Sequence, residues 1–258
     1  MSYSSMFVAH GSPMLAVEDT AYTRYLEQLY GTKADKPEAI VIFSAHWESG
    51  VQLVSTGEQH EMIYDFYGFP DELYQIQYPA KGNPALAEEI LQLFANEGIM
   101  AQGDSKRGLD HGAWSPLVKM FPKADIPVVA LSVNPRLTAE EHYRIGKALA
   151  PLRERNVLII GSGGTVHNLR RVNWGAKQPD SWAIAFDEWL SETLETWNTS
   201  ALFEYEEQAP YAREAVPTTE HFVPIILAMG AADQGGQAQK LHQSYQYGSL
   251  SLCVWRFE

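Results

Sequence analysis

One cysteine stands in the 258 residues, Cys253, so the chain forms no internal disulfide. That residue reads as a small buried hydrophobe in the last strand. The want of a disulfide framework fits a reducing cytoplasm, which is the expected location. Positive charge is also scarce: 19 Lys and Arg stand against 32 Asp and Glu, a formal net charge of −13. No run of Lys and Arg occurs, so nothing would neutralise a phosphate backbone, and nucleic acid is not an expected partner. No stretch of about 18 uncharged apolar residues occurs, so no membrane-spanning helix is expected. The opening MSYSSMFVAHGSP lacks a basic region followed by an apolar one and does not read as a secretory signal.

Several enzyme signatures are missing too. Gly161-Ser162-Gly163-Gly164 lacks the Lys-Ser/Thr of a P-loop and the spacing of a dinucleotide fingerprint. His10-Gly11-Ser12-Pro13 is no nucleophile elbow, because G-x-S-x-G is absent. Neither H-E-x-x-H nor C-x-x-C occurs, which removes the common zinc-protease and zinc-finger patterns.

What is present is a core and an alternation. Apolar residues make up 45% of the chain. Met6–Ala9, Ala39–Ala45, Ile126–Val133, Val157–Gly161 and Leu250–Phe257 read as buried strands. Helices are expected between them. Asn83-Pro84 opens one over Ala85–Asn96. Thr138 and Glu141 have capping-box spacing and open another, to about Glu154. Ser181–Trp197 carries an apolar face. Strands alternating with helices imply an α/β sheet with helices on both faces. No linker composition interrupts the chain, so residues 1–258 are expected to form one domain. The aromatic segment Glu61–Pro84 reads as an active-site wall, or else as a surface excursion packed by its own rings.

The histidines carry the chemistry. Five of the eight lie where a strand gives way to a turn-forming segment: His10, His46, His111, His167 and His221. In open α/β sheets, ligands bind outside the carboxyl ends of the strands. His10, His46 and His167, each just past a strand, can therefore converge without being close in sequence. Neutral imidazole is the commonest protein ligand for a metal, and three around one ion leave positions open. The glycines of Gly161–Gly164 are expected to turn the backbone tightly and bring His167 in. His60 and His242 read as loop residues and His142 as a helix-surface residue.

Five short motifs resemble one family when taken in order. They are His10-Gly11-Ser12-Pro13, Ser44-Ala45-His46-Trp47, Asp110-His111-Gly112-Ala113-Trp114, Val166-His167-Asn168-Leu169 and Glu220-His221. Together they resemble the class III extradiol ring-cleavage dioxygenases, with the DOPA 4,5-dioxygenase branch nearest. Asp65–Pro70, Tyr78-Pro79-Ala80 and Tyr247–Ser251 resemble that branch as well, so the likeness runs from residue 6 to the C-terminus.

The resemblance implies a single α/β domain around a central mixed, mostly parallel β-sheet flanked by helices. It implies that His10, His46 and His221 hold one divalent metal, Fe(II) for ring cleavage or Zn(II) as bound. In protocatechuate-cleaving relatives the third ligand is a glutamate; here His221 matches it, with Glu220 beside it. His167 matches the acid/base and is also a candidate fourth ligand to tetrahedral zinc. His111 matches a histidine that supports the ligands or touches substrate. The implied partners are a catechol such as L-DOPA and O₂. Zinc lacks the second oxidation state that ring cleavage requires. The segment Tyr64–Tyr78 offers an apolar wall for a flat ring, and Arg170 and Arg171 are candidates to meet a substrate carboxylate. A surface salt bridge is the plainer role for at least one of these arginines. The competing readings are a zinc hydrolase using the same histidines, with Glu220 or Glu48 as base, and a non-catalytic metal-binding relative.

Overall fold

Ile40 and Ile42 pack on one side of their strand, while Ala39, Val41 and Phe43 pack on the other. All five are buried. The same split recurs in Val128/Val129 and in Leu158/Ile159, so the central strands are covered on both faces. This is why they read as continuous apolar runs and not as alternating ones.

The computed structural model describes residues 3–31, 36–233 and 236–258. Its strands are β1 (Ser5–Ala9), β2 (Ala39–Glu48), β3 (Gln52–Ser55), β4 (Ala101–Asp104), β5 (Val128–Val133), β6 (Val157–Gly163), β7 (Ala238–Gln246) and β8 (Leu250–Phe257). Among the described residues they form one sheet in the order β4-β3-β5-β2-β6-β1-β8-β7. The central run β5-β2-β6-β1 is parallel throughout. The β7–β8 hairpin joins β1 antiparallel, and β3 joins β5 antiparallel, so the sheet is mixed and mostly parallel.

The helices are α1 (Ala21–Gly31), α2 (Pro84–Asn96), α3 (His111–Met120), α4 (Ala139–Ala148), α5 (Ser181–Glu195), the short α6 (Thr199–Phe203), α7 (Tyr205–Gln208) and α8 (Ala212–Ala215), and α9 (Val223–Gly230). Residues of α3 and α5 pack on one face of the sheet and those of α2 on the other, while α4 and α9 contribute to the core on both sides. The expected capping box opens α4: Glu141 N donates to Thr138 Oγ1 at 3.2 Å, and Thr138 N donates back to Glu141 Oε2 at 2.8 Å. The helix ends at Ala148 and a 3₁₀ stretch, Ala150–Arg155, continues it, because Pro151 cannot donate to an α-helical ladder.

Several expectations need correction. The glycines of β6 do not make a turn. A Cβ on Gly161 would lie 1.9 Å from the Pro224 carbonyl oxygen, and one on Gly163 would lie 2.1 Å from that of His221. Their bareness lets α9 and the segment before it settle directly on the sheet. His142 is fully buried, with Nδ1 2.9 Å from the Thr138 carbonyl. His242 lies in β7, its ring against Tyr22 and Tyr25. Strand β2 runs on to Glu48, so His46 lies within it, at a break in the β2–β5 register.

Candidate metal centre

Three chain segments deliver three histidines to one point at the carboxyl ends of the parallel strands. His10 is the first residue beyond β1 and its N–H donates to the Gly163 carbonyl at 3.1 Å. His46 is near the end of β2. His221 precedes α9, tied to β6 through Gly164 N–H to its carbonyl at 2.8 Å. The Nε2 atoms of His10 and His46 are 3.1 Å apart, and those of His46 and His221 are 3.2 Å apart.

The outer nitrogens decide which state these rings are in. Pro116 sits inside α3 and has no N–H to give the Gly112 carbonyl one turn back. The Ser162 hydroxyl takes that acceptor instead, at 2.5 Å. Having donated there, Ser162 Oγ accepts from His10 Nδ1 at 3.0 Å. His221 Nδ1 donates to Glu220 Oε1 at 3.0 Å, and His46 Nδ1 lies 3.3 Å from Asp65 Oδ2. A carboxylate only accepts, so each ring carries its proton on Nδ1 and turns a bare Nε2 lone pair inward. Lone pairs that close repel unless a cation lies between them. The donor atoms of His10, His46 and His221 all lie within 4.8 Å of one another, a set that fits a divalent metal.

The electrostatics agree. Burial, together with the neighbouring histidines, holds the His10 pKa well below the usual imidazole value. The same causes push His46 down to about 2, against the pull of Asp65. For Glu220, burial pushes the pKa up, but hydrogen bonds from His221 and Thr218 outweigh it and leave it at about 2. A neutral imidazole with a bare nitrogen is the ligand-ready state at neutral pH.

His167 and His111 flank this group. The His167 ring stacks on His221, centroids 3.6 Å apart and 8° from parallel. Burial lowers its pKa to about 3, helped by His221. Its donor atom groups with Glu220 and His221, not with His10 and His46. His111 opens α3, and its Nδ1 lies 2.9 Å from Asp65 Oδ1. Gly112 follows it because a Cβ there would lie 2.7 Å from Ser44 Oγ and 2.9 Å from the His46 ring. His46, His111, His167 and His221 line a cavity of about 630 Å³, closed on one side by Phe66 and Phe69.

The family model described as the catalytic LigB subunit of aromatic ring-opening dioxygenase matches residues 4–255. The chain belongs to the LigB family. It is 41% identical to the 4,5-DOPA dioxygenase extradiol of Beta vulgaris, over 98% of this chain and 96% of that one. It is 38% identical to the protein of the same name from Escherichia coli K12, over 96% and 92%. A crystal structure of an uncharacterized Escherichia coli K12 protein superposes with a TM-score of 0.84 at 34% identity, covering 99% of this chain and all of that one. No helix among the described residues is long and apolar enough to cross a membrane.

In this LigB-family chain the five histidines and Glu220 are marked in the sequence, while the supporting roles of Ser162 and Asp65 are not. Asp65 spans two of the histidines, with Oδ1 toward His111 and Oδ2 toward His46. It also accepts from the His111 backbone N–H at 3.0 Å. Burial raises its pKa, but the His111 contacts prevail and hold it at about 2. Asp65→Asn offers one oxygen where two are needed, so one ring must move its proton to Nε2. Zinc affinity, measured by competition with a chelator, is expected to fall about 10- to 100-fold. An unchanged affinity would show that Asp65 does not orient His46.

Proposed function

We propose that the chain is a metal-dependent extradiol dioxygenase that opens a catechol such as L-DOPA with O₂, residues 1–258 forming one catalytic domain that works in the cytoplasm. The observation that carries this reading is the meeting of three proton-free Nε2 atoms, two of them on rings that line an aromatic-walled cavity. His10, His46 and His221 hold the metal, Fe(II) in the active enzyme and Zn(II) in an inert form. Bound there, Fe(II) lowers the phenolic pKa and links the electrons of the catecholate to those of O₂.

The chain's own residues do the rest. His167 is neutral and lines the cavity, so its ring is the group placed to accept a catechol proton and return one later. Stacking on His221 fixes the plane in which it does so. His111 has its Nδ1 proton committed to Asp65, which leaves Nε2 to meet a substrate oxygen. Phe66 and Phe69 hold the flat ring and exclude water. The hydrolase reading loses its base. Glu220 Oε1 accepts from both His221 and Thr218, and Glu48 is not among the residues lining the cavity.

The test is oxygen uptake after anaerobic reconstitution of metal-free protein. The Fe(II) form is expected to consume O₂ with L-DOPA and turn the solution yellow, and the Zn(II) form is not. No uptake with a panel of catechols at full Fe(II) occupancy would refute the assignment.

A further inference from the structure

Leu169–Arg171 is a 3₁₀ turn that begins two residues after His167. Its backbone is pinned. His167 N–H donates to the Ala215 carbonyl at 2.9 Å. Asn168 Nδ2 donates to the Glu214 carbonyl at 2.8 Å, and Asn168 Oδ1 accepts from Arg170 N at 3.1 Å. The turn therefore presents two adjacent arginines from a fixed base, and the two go different ways. Arg171 lies over the ring of Trp182, its guanidinium carbon 5.3 Å from the centroid. Arg170 is exposed to solvent and lines the cavity that His46, His111, His167 and His221 also line.

Arg170 is the only lysine or arginine among the described residues lining that cavity. The one carboxylate there, Glu220, is already engaged by His221 and Thr218. No described carboxylate lies within ion-pair distance of Arg170. The surrounding wall is apolar and aromatic. Trp174 packs on Tyr247, centroids 4.5 Å apart, and both line the same cavity. An exposed guanidinium at the edge of such a wall meets a planar anion with two N–H groups.

We propose that Arg170 binds the carboxylate of the substrate side chain and makes the enzyme selective for catechols that carry an acid. The inference rests on the ring-cleavage reading: the catechol hydroxyls point to the histidines, so the ring's substituent points away from them into this wall. A cavity of about 630 Å³ leaves room for such a substituent beyond the ring itself.

The experiment compares kcat/KM for 3,4-dihydroxyphenylacetate and 4-methylcatechol, which differ by the carboxylate, on the Fe(II)-loaded enzyme. Arg170→Gln is expected to lower the acid-over-methyl ratio about 10- to 100-fold, chiefly through KM, as loss of a charge-assisted pair would. Arg170→Lys recovers part of the ratio, because it keeps the charge and loses the fork. Arg171→Gln serves as the control and leaves the ratio within about 2-fold. An unchanged ratio in Arg170→Gln, or an equal loss for both substrates, overturns the proposal. Equilibrium binding of the same pair to the Zn(II)-loaded protein makes the comparison without turnover. A failure of ring cleavage therefore still leaves the role of Arg170 decided.

Discussion

Replacing His10, His46 or His221 by alanine is expected to weaken metal binding by well over ~100-fold, the range that loss of a mere supporting contact can reach. Turnover with any catechol falls to background in all three variants. The cause is electrostatic. Each ring turns a bare nitrogen inward, that of His46 lying 3.1 Å from His10 and 3.2 Å from His221, with its proton locked on the far side. Removing one ring removes a third of the donor set and leaves the other two without the partner geometry that a metal requires. Metal content per chain after dialysis is the measurement. Full occupancy in His10→Ala would mean that the ion lies elsewhere, for instance at the His46, Asp65, His111 group or the His167, Glu220, His221 group.

His167→Gln is expected to separate chemistry from metal binding. Turnover falls ~100- to 10,000-fold, the usual contribution of a positioned acid/base. Metal content stays close to that of the unaltered protein, because His167 touches the centre by stacking on His221 and is not one of the three converging nitrogens. The Zn(II)-loaded form decides the other role proposed for this residue. If His167 is a fourth ligand to zinc, zinc affinity drops together with turnover. If it acts only as acid and base, affinity holds while turnover collapses.

These expectations rest on residues of two kinds, and only one kind was legible in the sequence. The five histidines stood out because each adjoins a glycine, a tryptophan or a turn at the end of an apolar run. The central strands stood out because burial on both faces leaves an unbroken run of Val, Ile and Leu. The half-buried β7, Ala-Gln-Lys-Leu-His-Gln-Ser-Tyr-Gln, carries no such run and was not foreseen. Helix α3 was hidden by Gly112 and Pro116, both poor helix formers. That same proline is what frees the Gly112 carbonyl for Ser162, and so fixes the His10 tautomer. Ser162 and Asp65 act across 152 and 46 residues of chain, on His10 and His111. Nothing in their neighbours along the sequence marks that role. For Ser162 it comes from the sheet order, which sets β6 beside β1 and beside β2. The glycines of β6 illustrate the converse. They were visible, but their purpose, close approach of the chain entering α9, is a fact of packing and not of turn chemistry.

The central claim is that a catechol ring opens beside its two hydroxyls at the centre formed by His10, His46 and His221. The measurement that bears on it most directly is the mass and functional groups of the product formed from L-DOPA by the Fe(II)-loaded enzyme under isotopically labelled O₂. The expected product is L-DOPA plus both atoms of one O₂, bearing a new aldehyde and a new carboxylate. A quinone with no label incorporated, or a product with two new carboxylates from cleavage between the hydroxyls, would contradict the account.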